Sequence, residues 1–299
     1  MKKKRIKYTE LVPMINDILG QYDYALTVRQ IFYRLVSDPY NYIDNTMNAY
    51  TNLDSHLVKM REEGAISYNL IVDRTRSAAG GDDKDSGSEN GFIHSHIEGL
   101  RDISWHYSKP MWETQENYIE VWIEKDALIG SINGVTAEYN LTAFACRGYG
   151  SFSSLMDAVN RFLEYPDKEK IILYFGDHDP TGLNITEVIQ RKLIQYGGDV
   201  DVRKIALTYE QVQEFNLTPL PTKEKDSRTE AYLYQYGDEC WELDALPPPE
   251  IPRMLKEEVK KYIDFDAWEE RKKEIQISQD YIDEEMEKVM DKFEEKEEE

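Results

Sequence analysis

The stretch Ile171-Ile172-Leu173-Tyr174-Phe175-Gly176-Asp177-His178-Asp179-Pro180-Thr181-Gly182 decides the fold. Its opening run is apolar without alternation, which predicts a short strand buried on both faces, as in a parallel sheet. Gly176, Pro180 and Gly182 then punctuate the chain as a turn. Extended backbone repeats every two residues, so the spacing predicts that Asp177 and Asp179 project to one side of the strand end.

Working outward, strand-like runs recur at 118–123, 141–146 and 202–207, with amphipathic helical stretches between them. That alternation predicts right-handed βαβ crossovers and a Rossmann-like parallel α/β sheet covered on both faces. Sheets of this kind gather reactive groups at the carboxyl ends of their strands. Glu124 stands at such an end, after Ile119-Glu120-Val121-Trp122-Ile123. A Glu from one strand and an Asp-x-Asp from another make a hard-oxygen set that suits Mg2+, with Mn2+ able to substitute. The candidate metal ligands are therefore Glu124, Asp177 and Asp179. Charged residues at strand ends also simply face water, and that plainer reading stands beside the chemical one.

Toward the N-terminus, apolar spacing predicts helices at 7–20, at 28–37 with Thr27 as N-cap, and at 46–63 closing at Gly64. The run from Ala65 to Val72 reads as a strand. Three short helices and a strand form a winged-helix pattern, with the third helix offered to a DNA groove, although small helical units also serve protein contacts. The candidate DNA-binding residues are Arg29, Arg34, Lys59 and Arg61. Ser77 to Gly91 is rich in Gly, Ser and Asp and reads as a mobile loop. After Pro247-Pro248-Pro249 the pattern is helical near 253–263 and again, highly charged, from Asp266 onward. The expected organisation is a winged helix over 1–75, a loop and connector over 76–117, an α/β domain over 118–265, and a helical acidic tail over 266–299.

A net charge of −22 argues against a nucleic-acid partner until its distribution is considered. Residues 1–117 carry −3, 118–220 carry −6, and 221–299 carry −13. The last 20 residues hold 11 acids and three lysines, which reads as a tail separable from the fold. No apolar run approaches the roughly 18 residues of a membrane span, and the basic start lacks a signal peptide's apolar core, so the expected location is cytoplasmic. Cys146 and Cys240 lack zinc or redox spacing. His94, His96 and His106 read as solvated.

The segment from Val121 to about Leu207 resembles the Toprim domain of the type IIB topoisomerase (topoisomerase VI) A subunit and of the related meiotic double-strand-break transesterase. The resemblance rests on Glu124-Lys125 at the first strand and on Gly176-Asp177-His178-Asp179-Pro180-Thr181-Gly182, which matches the family's D-x-D-P-x-G. It implies that Glu124, Asp177 and Asp179 hold magnesium at a scissile phosphate of double-stranded DNA, with Glu124 also moving a proton. Arg29-Gln30-Ile31-Phe32-Tyr33-Arg34 is similar to the family's winged-helix signature, whose tyrosine becomes linked to a 5′ phosphate. By that resemblance Tyr33 is the nucleophile and Arg29 helps to hold the phosphate. On a helical wheel Val28, Ile31, Phe32, Leu35 and Val36 form one stripe and Tyr33 lies off it, which is equally the position of a structural tyrosine with its hydroxyl in water.

Gly148-Tyr149-Gly150-Ser151 departs from the family's G-Y-P, and the chain shows no ATPase segment. The expectation is thus a topoisomerase VI A-like DNA-cleaving enzyme, acting as a homodimer because two strands need two sites, either alone or with a separate ATPase subunit. Three alternatives remain: a Toprim nuclease using metal-activated water, a haloacid-dehalogenase-type phosphatase built on Asp177-x-Asp179-x-Thr181, and a non-catalytic DNA-binding protein. Glu242 and Asp244, after Trp241, and Lys223, Asp226 and Arg228 are further groups that could return to the site.

Overall fold

The computed structural model describes residues 7–71, 87–221 and 227–297. These fall into two compact units, Met1–Arg76 with Asn117–Lys261, and Ser77–Glu116 with Tyr262–Glu299.

The first unit opens with helices α1 (Tyr8–Gly20), α2 (Val28–Val36) and α3 (Met47–Glu62). Each boundary has a local cause. Thr27 and Gln30 close a reciprocal capping box on α2, Thr46 caps α3, and α3 ends before Gly64, whose φ of 69° suits a residue without Cβ. The expected strand after α3 is largely absent. Tyr68–Leu70 form a 3-10 turn, and Ile71 makes a single parallel bridge to Leu26; Val72 lies outside the described residues. The Leu70 N–H donates to the Ser67 carbonyl at 3.3 Å, so the segment closes a local turn in place of ladder pairing.

The sheet follows the expected pattern. Strands β1 (Asn117–Ile123), β2 (Thr142–Ala145), β3 (Glu169–Phe175) and β4 (Asp201–Ala206) are all parallel, in the order β2-β1-β3-β4. The helices Ile129–Glu138, Phe152–Leu163 and Ile185–Gln195 make the crossovers. Ile119, Val121, Trp122 and Ile123 on β1 and Ile172 to Phe175 on β3 are fully buried, the consequence of a central pair covered on both faces. The three-helix unit is not a separate domain. It shares a compact body with the sheet, because α2 packs on the turn Leu243–Ala245 as well as on α1 and α3.

The second unit revises two expectations. Of the loop read over 77–91, residues 77–86 lie outside the described residues; Ser88 caps the helix Glu89–Gly99 and donor Gly91 N–H lies 3.2 Å from its hydroxyl. The acidic C-terminal segment is not a separable tail. The helix Phe265–Glu297 packs on the 3-10 run Leu100–His106, buries Met290, and stacks Trp268 edge-on against Trp112 at 5.5 Å. Arg271 also meets Glu113 at 3.0 Å, and Gln279 donates to the carbonyl of Tyr107 at 3.0 Å. A charged sequence hides this, because the buried stripe of a long helix occupies only a few of its positions.

Glu120, in the middle of β1, is 0% exposed. Its carboxylate is held by Arg161 Nε at 2.7 Å and Nη2 at 2.9 Å, by Trp122 Nε1 at 2.9 Å and by the Tyr118 hydroxyl at 3.2 Å. An isolated buried charge is costly, so this carboxylate is tolerated only because its donors surround it. Arg161→Met is expected to lower the unfolding free energy by about 3 kcal/mol, since it strands a buried charge. Urea titration of the variant checks this; a change within about 0.5 kcal/mol, the size of an ordinary surface substitution, would contradict it.

Candidate functional site

The order β2-β1-β3-β4 sends the chain outward in opposite directions from β1 and β3. The crevice between their carboxyl ends is therefore the topological switch point, where open parallel sheets place their ligands. Glu124 leaves β1 there, its N–H donating to the Phe175 carbonyl at 2.8 Å, and Asp177 leaves β3. The two residues are linked there: the Asp177 backbone N–H donates to Glu124 Oε2 at 3.0 Å.

The glycines of the motif have steric reasons. A Cβ on Gly176 would lie 2.6 Å from Glu124 Oε2 and 2.5 Å from the Tyr174 ring, and one on Gly182 would lie 2.2 Å from the Asp177 carbonyl oxygen. Side chains at either place would push the acids apart. Lys204 of β4 completes the turn by donating to the carbonyls of Asp177 at 2.7 Å and Gly182 at 3.0 Å.

Asp177 and Asp179 do not share one orientation, because the chain leaves the extended state at the turn. Asp177 Oδ1 accepts from the Leu243 N–H at 2.7 Å and faces Lys125 Nζ at 3.0 Å, whereas Asp179 Oδ1 accepts from the Gly182 N–H at 2.5 Å. His178 between them is buried, hydrogen-bonded through Nδ1 to the Tyr232 hydroxyl at 3.0 Å, and surrounded by Tyr209, Tyr236 and Trp241. Burial, and after it the nearby Lys204, lowers its pKa to about 4. Its backbone bridges Trp241 in both directions, which brings the following residues, Glu242 to Asp244, against the acids.

Those residues build an ionic cluster. Lys125 Nζ lies 2.6 Å from Asp244, 3.0 Å from Asp177 and 3.4 Å from Glu242. Arg29 pairs with Glu242 through both carboxylate oxygens, and the Thr27 hydroxyl donates to Asp244 at 3.1 Å. Burial works against the charge on Lys125, but Asp244, Asp177 and Glu242 outweigh it and its pKa is raised. Lys204 shows the opposite balance: burial lowers it to about 8 despite the attraction of Glu124, Asp179 and Asp177. The cluster sets five carboxylates, Glu124, Asp177, Asp179, Glu242 and Asp244, against three cations, Arg29, Lys125 and Lys204.

Among the described residues, no three His, Cys, Asp or Glu side chains are arranged to hold a metal ion as they stand. Magnesium does not require three, since it commonly takes one or two carboxylates and fills its shell with water and phosphate oxygens. Glu124 and Asp177, joined by their hydrogen bond within a cluster of five carboxylates and three cations, fit that demand, with Asp177 Oδ1 already engaged by Leu243 and Lys125 and Asp179 Oδ1 by its own turn.

Of the other candidates, Tyr33 and Arg34 are drawn inward, while Lys59 and Arg61 lie at the C-terminal end of α3. Tyr33 is 1% exposed, its ring edge-on to Phe32 at 5.6 Å, so its hydroxyl does not stand in water. Covering α2 from two sides widened its buried arc beyond the single stripe of the helical wheel. Burial, and then the charge of Glu242, raises the phenol's pKa. Arg34 is also drawn inward: its Nε is buried without a hydrogen-bond partner, and burial lowers its pKa. Lys59 sits over the Tyr8 ring and pairs with Glu63 at 3.5 Å, and Arg61 donates to the Leu57 carbonyl at 3.3 Å. Lys223 and Asp226 lie outside the described residues, as does the side chain of Arg228.

Lys204, beside the acids at the end of β4, was not among the candidates the sequence offered. It stands two residues after the buried Val202 on β4, just before the register shift opposite Tyr174 and Phe175.

No family model matches the chain, and no curated protein matches it.

Burial pushes Asp177 up to about 6, with Lys125 opposing and Glu124 adding to the rise. The folded state thus holds this proton more tightly than the unfolded chain, where an Asp titrates near about 3.9. Its favourable contribution is complete below that value and is lost as pH rises through about 6. Asp177→Asn keeps an acceptor for the Leu243 N–H. It is expected to be more stable than wild type by about 1–3 kcal/mol at pH 7.5, with the advantage gone by about pH 4. Urea titrations at the two pH values check the sign, and a variant less stable than wild type at pH 7.5 would refute it.

Proposed function

We propose that this chain is a Toprim-type, topoisomerase VI A-like enzyme that cleaves the phosphodiester backbone of double-stranded DNA with magnesium, or with manganese in its place. The observation that carries the reading is the hydrogen bond from the Asp177 backbone N–H to the Glu124 carboxylate, which brings both acids to the switch point of a parallel sheet. The D-x-D-P-x-G turn and its sterically required glycines support the same reading, with Glu124 and Asp177 at hand and Asp179 turned into its own loop. The phosphatase reading leaves Glu124 without a role.

In this reading Glu124 and Asp177 hold the cation, which when bound supplies Lewis acidity toward a phosphoryl oxygen. Glu124 accepts a proton from the attacking water through its carboxylate, and as the new bond to phosphorus forms the bond to the leaving deoxyribose oxygen breaks, that oxygen taking its proton from solvent. Asp177 is kept in place by the Leu243 N–H and Lys125, and Lys204 holds the turn that carries it. The cations Lys125 and Arg29 sit beside the acids, able to offset the charge of an approaching phosphate. Cutting both strands requires two copies of the site, so the working form is proposed to be a homodimer; an ATPase partner is required only if cleavage is coupled to strand passage.

The burial of Tyr33 favours water over the phenol as nucleophile. A tyrosine with a raised pKa is almost wholly protonated at neutral pH and attacks poorly unless it is first exposed and activated.

Plasmid incubated with magnesium or manganese is expected to be cut by the wild type, and Glu124→Gln and Asp177→Asn to lose about 100-fold or more in rate, the scale of a general base or metal ligand. Calorimetric titration with Mn2+ is expected to show weakened binding in both. Tyr33→Phe is expected to cut at a rate within a few-fold of wild type and to leave protein-free ends. Undiminished cutting by Glu124→Gln would remove the metal site from the mechanism. A 5′-linked protein adduct that vanishes in Tyr33→Phe would restore the tyrosine as nucleophile.

A further inference from the structure

The second unit has no place in the chemistry above, yet it carries most of the chain's charge. By sequence, Ser77–Glu116 and Tyr262–Glu299 together hold 24 acids and nine lysines and arginines, a net −15 of the total −22. A surface of that sign repels a phosphate backbone and attracts polycations.

Within this unit a cavity of about 560 Å³ opens between the 3-10 run Leu100–His106 and the helix Phe265–Glu297. Its apolar surface comes from Trp105, Met286 and Met290. The Trp105 indole is 81% exposed, the most exposed tryptophan of the fold, while Met290 is buried beneath. The rim is acidic: Asp102 from the 3-10 run faces Asp283, Glu287 and Asp291, which recur along one stripe of the long helix, and Arg101 is the one cation lining it among the described residues. A large indole face left in water beside flexible thioethers, all ringed by carboxylates, is an unusual surface for a protein with no partner. Its chemistry has a definite complement. An ammonium or guanidinium group is attracted by the indole face and the carboxylates together, and its aliphatic stem, or a neighbouring apolar residue, packs on the methionines.

We propose that this cavity is a docking site for a basic, amphipathic protein segment, one that presents lysines or arginines with an apolar residue among them. Charge complementarity selects this occupant. A nucleic acid meets net repulsion, and an apolar helix without cations leaves the acidic rim uncompensated. The surface lies within the second unit, so the proposal stands independently of the phosphodiester chemistry.

The test is calorimetric titration of the full chain with a synthetic peptide of lysines bearing a leucine at every fourth position, beside an oligolysine of equal charge. The leucine-bearing peptide is expected to bind at least about tenfold more tightly than the oligolysine, and more weakly as salt is raised. Trp105→Ala is expected to cost about tenfold in affinity, the scale of an aromatic hot spot. Asp283→Asn with Glu287→Gln is expected to weaken binding and flatten its salt dependence. These three residues are exposed, so circular dichroism should show the variants folded. No binding, equal affinity for the two peptides, or affinity unchanged by Trp105→Ala would overturn the proposal and leave only diffuse attraction between opposite charges. Displacement of Trp105 from water by a DNA duplex, seen as a fluorescence change lost in Trp105→Ala, would overturn it in favour of nucleic acid.

Discussion

The amine of Lys125, within 2.6 to 3.4 Å of Asp244, Asp177 and Glu242, joins three parts of the first unit that are far apart in sequence. It begins at the end of β1, reaches the acid at the end of β3, and meets the turn that follows Trp241. Through Asp244 and Glu242 the same cluster reaches Thr27 and Arg29 on α2. Without this cation, Asp177, Glu242 and Asp244 would repel one another in a place largely shielded from water, where the repulsion is strongest. The helical N-terminal part is thus held at the carboxyl end of the sheet by this cluster together with the Arg29–Glu242 pair and the packing of α2 on the Leu243–Ala245 turn.

This arrangement is costly, and its cost is informative. Burying acids beside one another raises Asp177, and burying an amine beside backbone carbonyls lowers Lys204. A fold selected for stability alone would replace such groups by apolar ones of similar volume, which is often neutral or better. Perturbed groups gathered in the crevice of a parallel sheet are the usual physical signature of a working site. Glu120 offers the contrast within the same strand. Four donors surround its carboxylate, one each from Tyr118 and Trp122 and two from Arg161, and it lies away from the crevice as a structural element of the sheet.

Charge is distributed unevenly in the molecule. The first unit mixes acids and cations at short range, so its local field near the crevice is far less negative than the total charge suggests. The second unit concentrates the acidic excess on a long helix and the segment packed against it. A total of −22 is thus a poor guide to whether the crevice can meet a phosphate, because the field at short range depends on nearby groups and distant charges are screened within about 8–10 Å of salt solution.

The sequence by itself determined the parallel α/β sheet, its strand positions to within a residue or two, the caps at Thr27 and Gly64, and the placement of Glu124 and Asp177 at strand ends. These follow from local periodicity, from turn chemistry and from the fact that a strand covered on both faces must be apolar throughout. Only the tertiary structure decided that Tyr33 and Arg34 are enclosed, that Arg29 is committed to Glu242, that Lys204 clasps the turn, and that the acidic C-terminal helix buries Met290 instead of trailing free. Each of these depends on what a second segment, distant in the chain, lays over the first. A helical wheel records which residues face the same way, but it does not record how many sides of the helix will be covered.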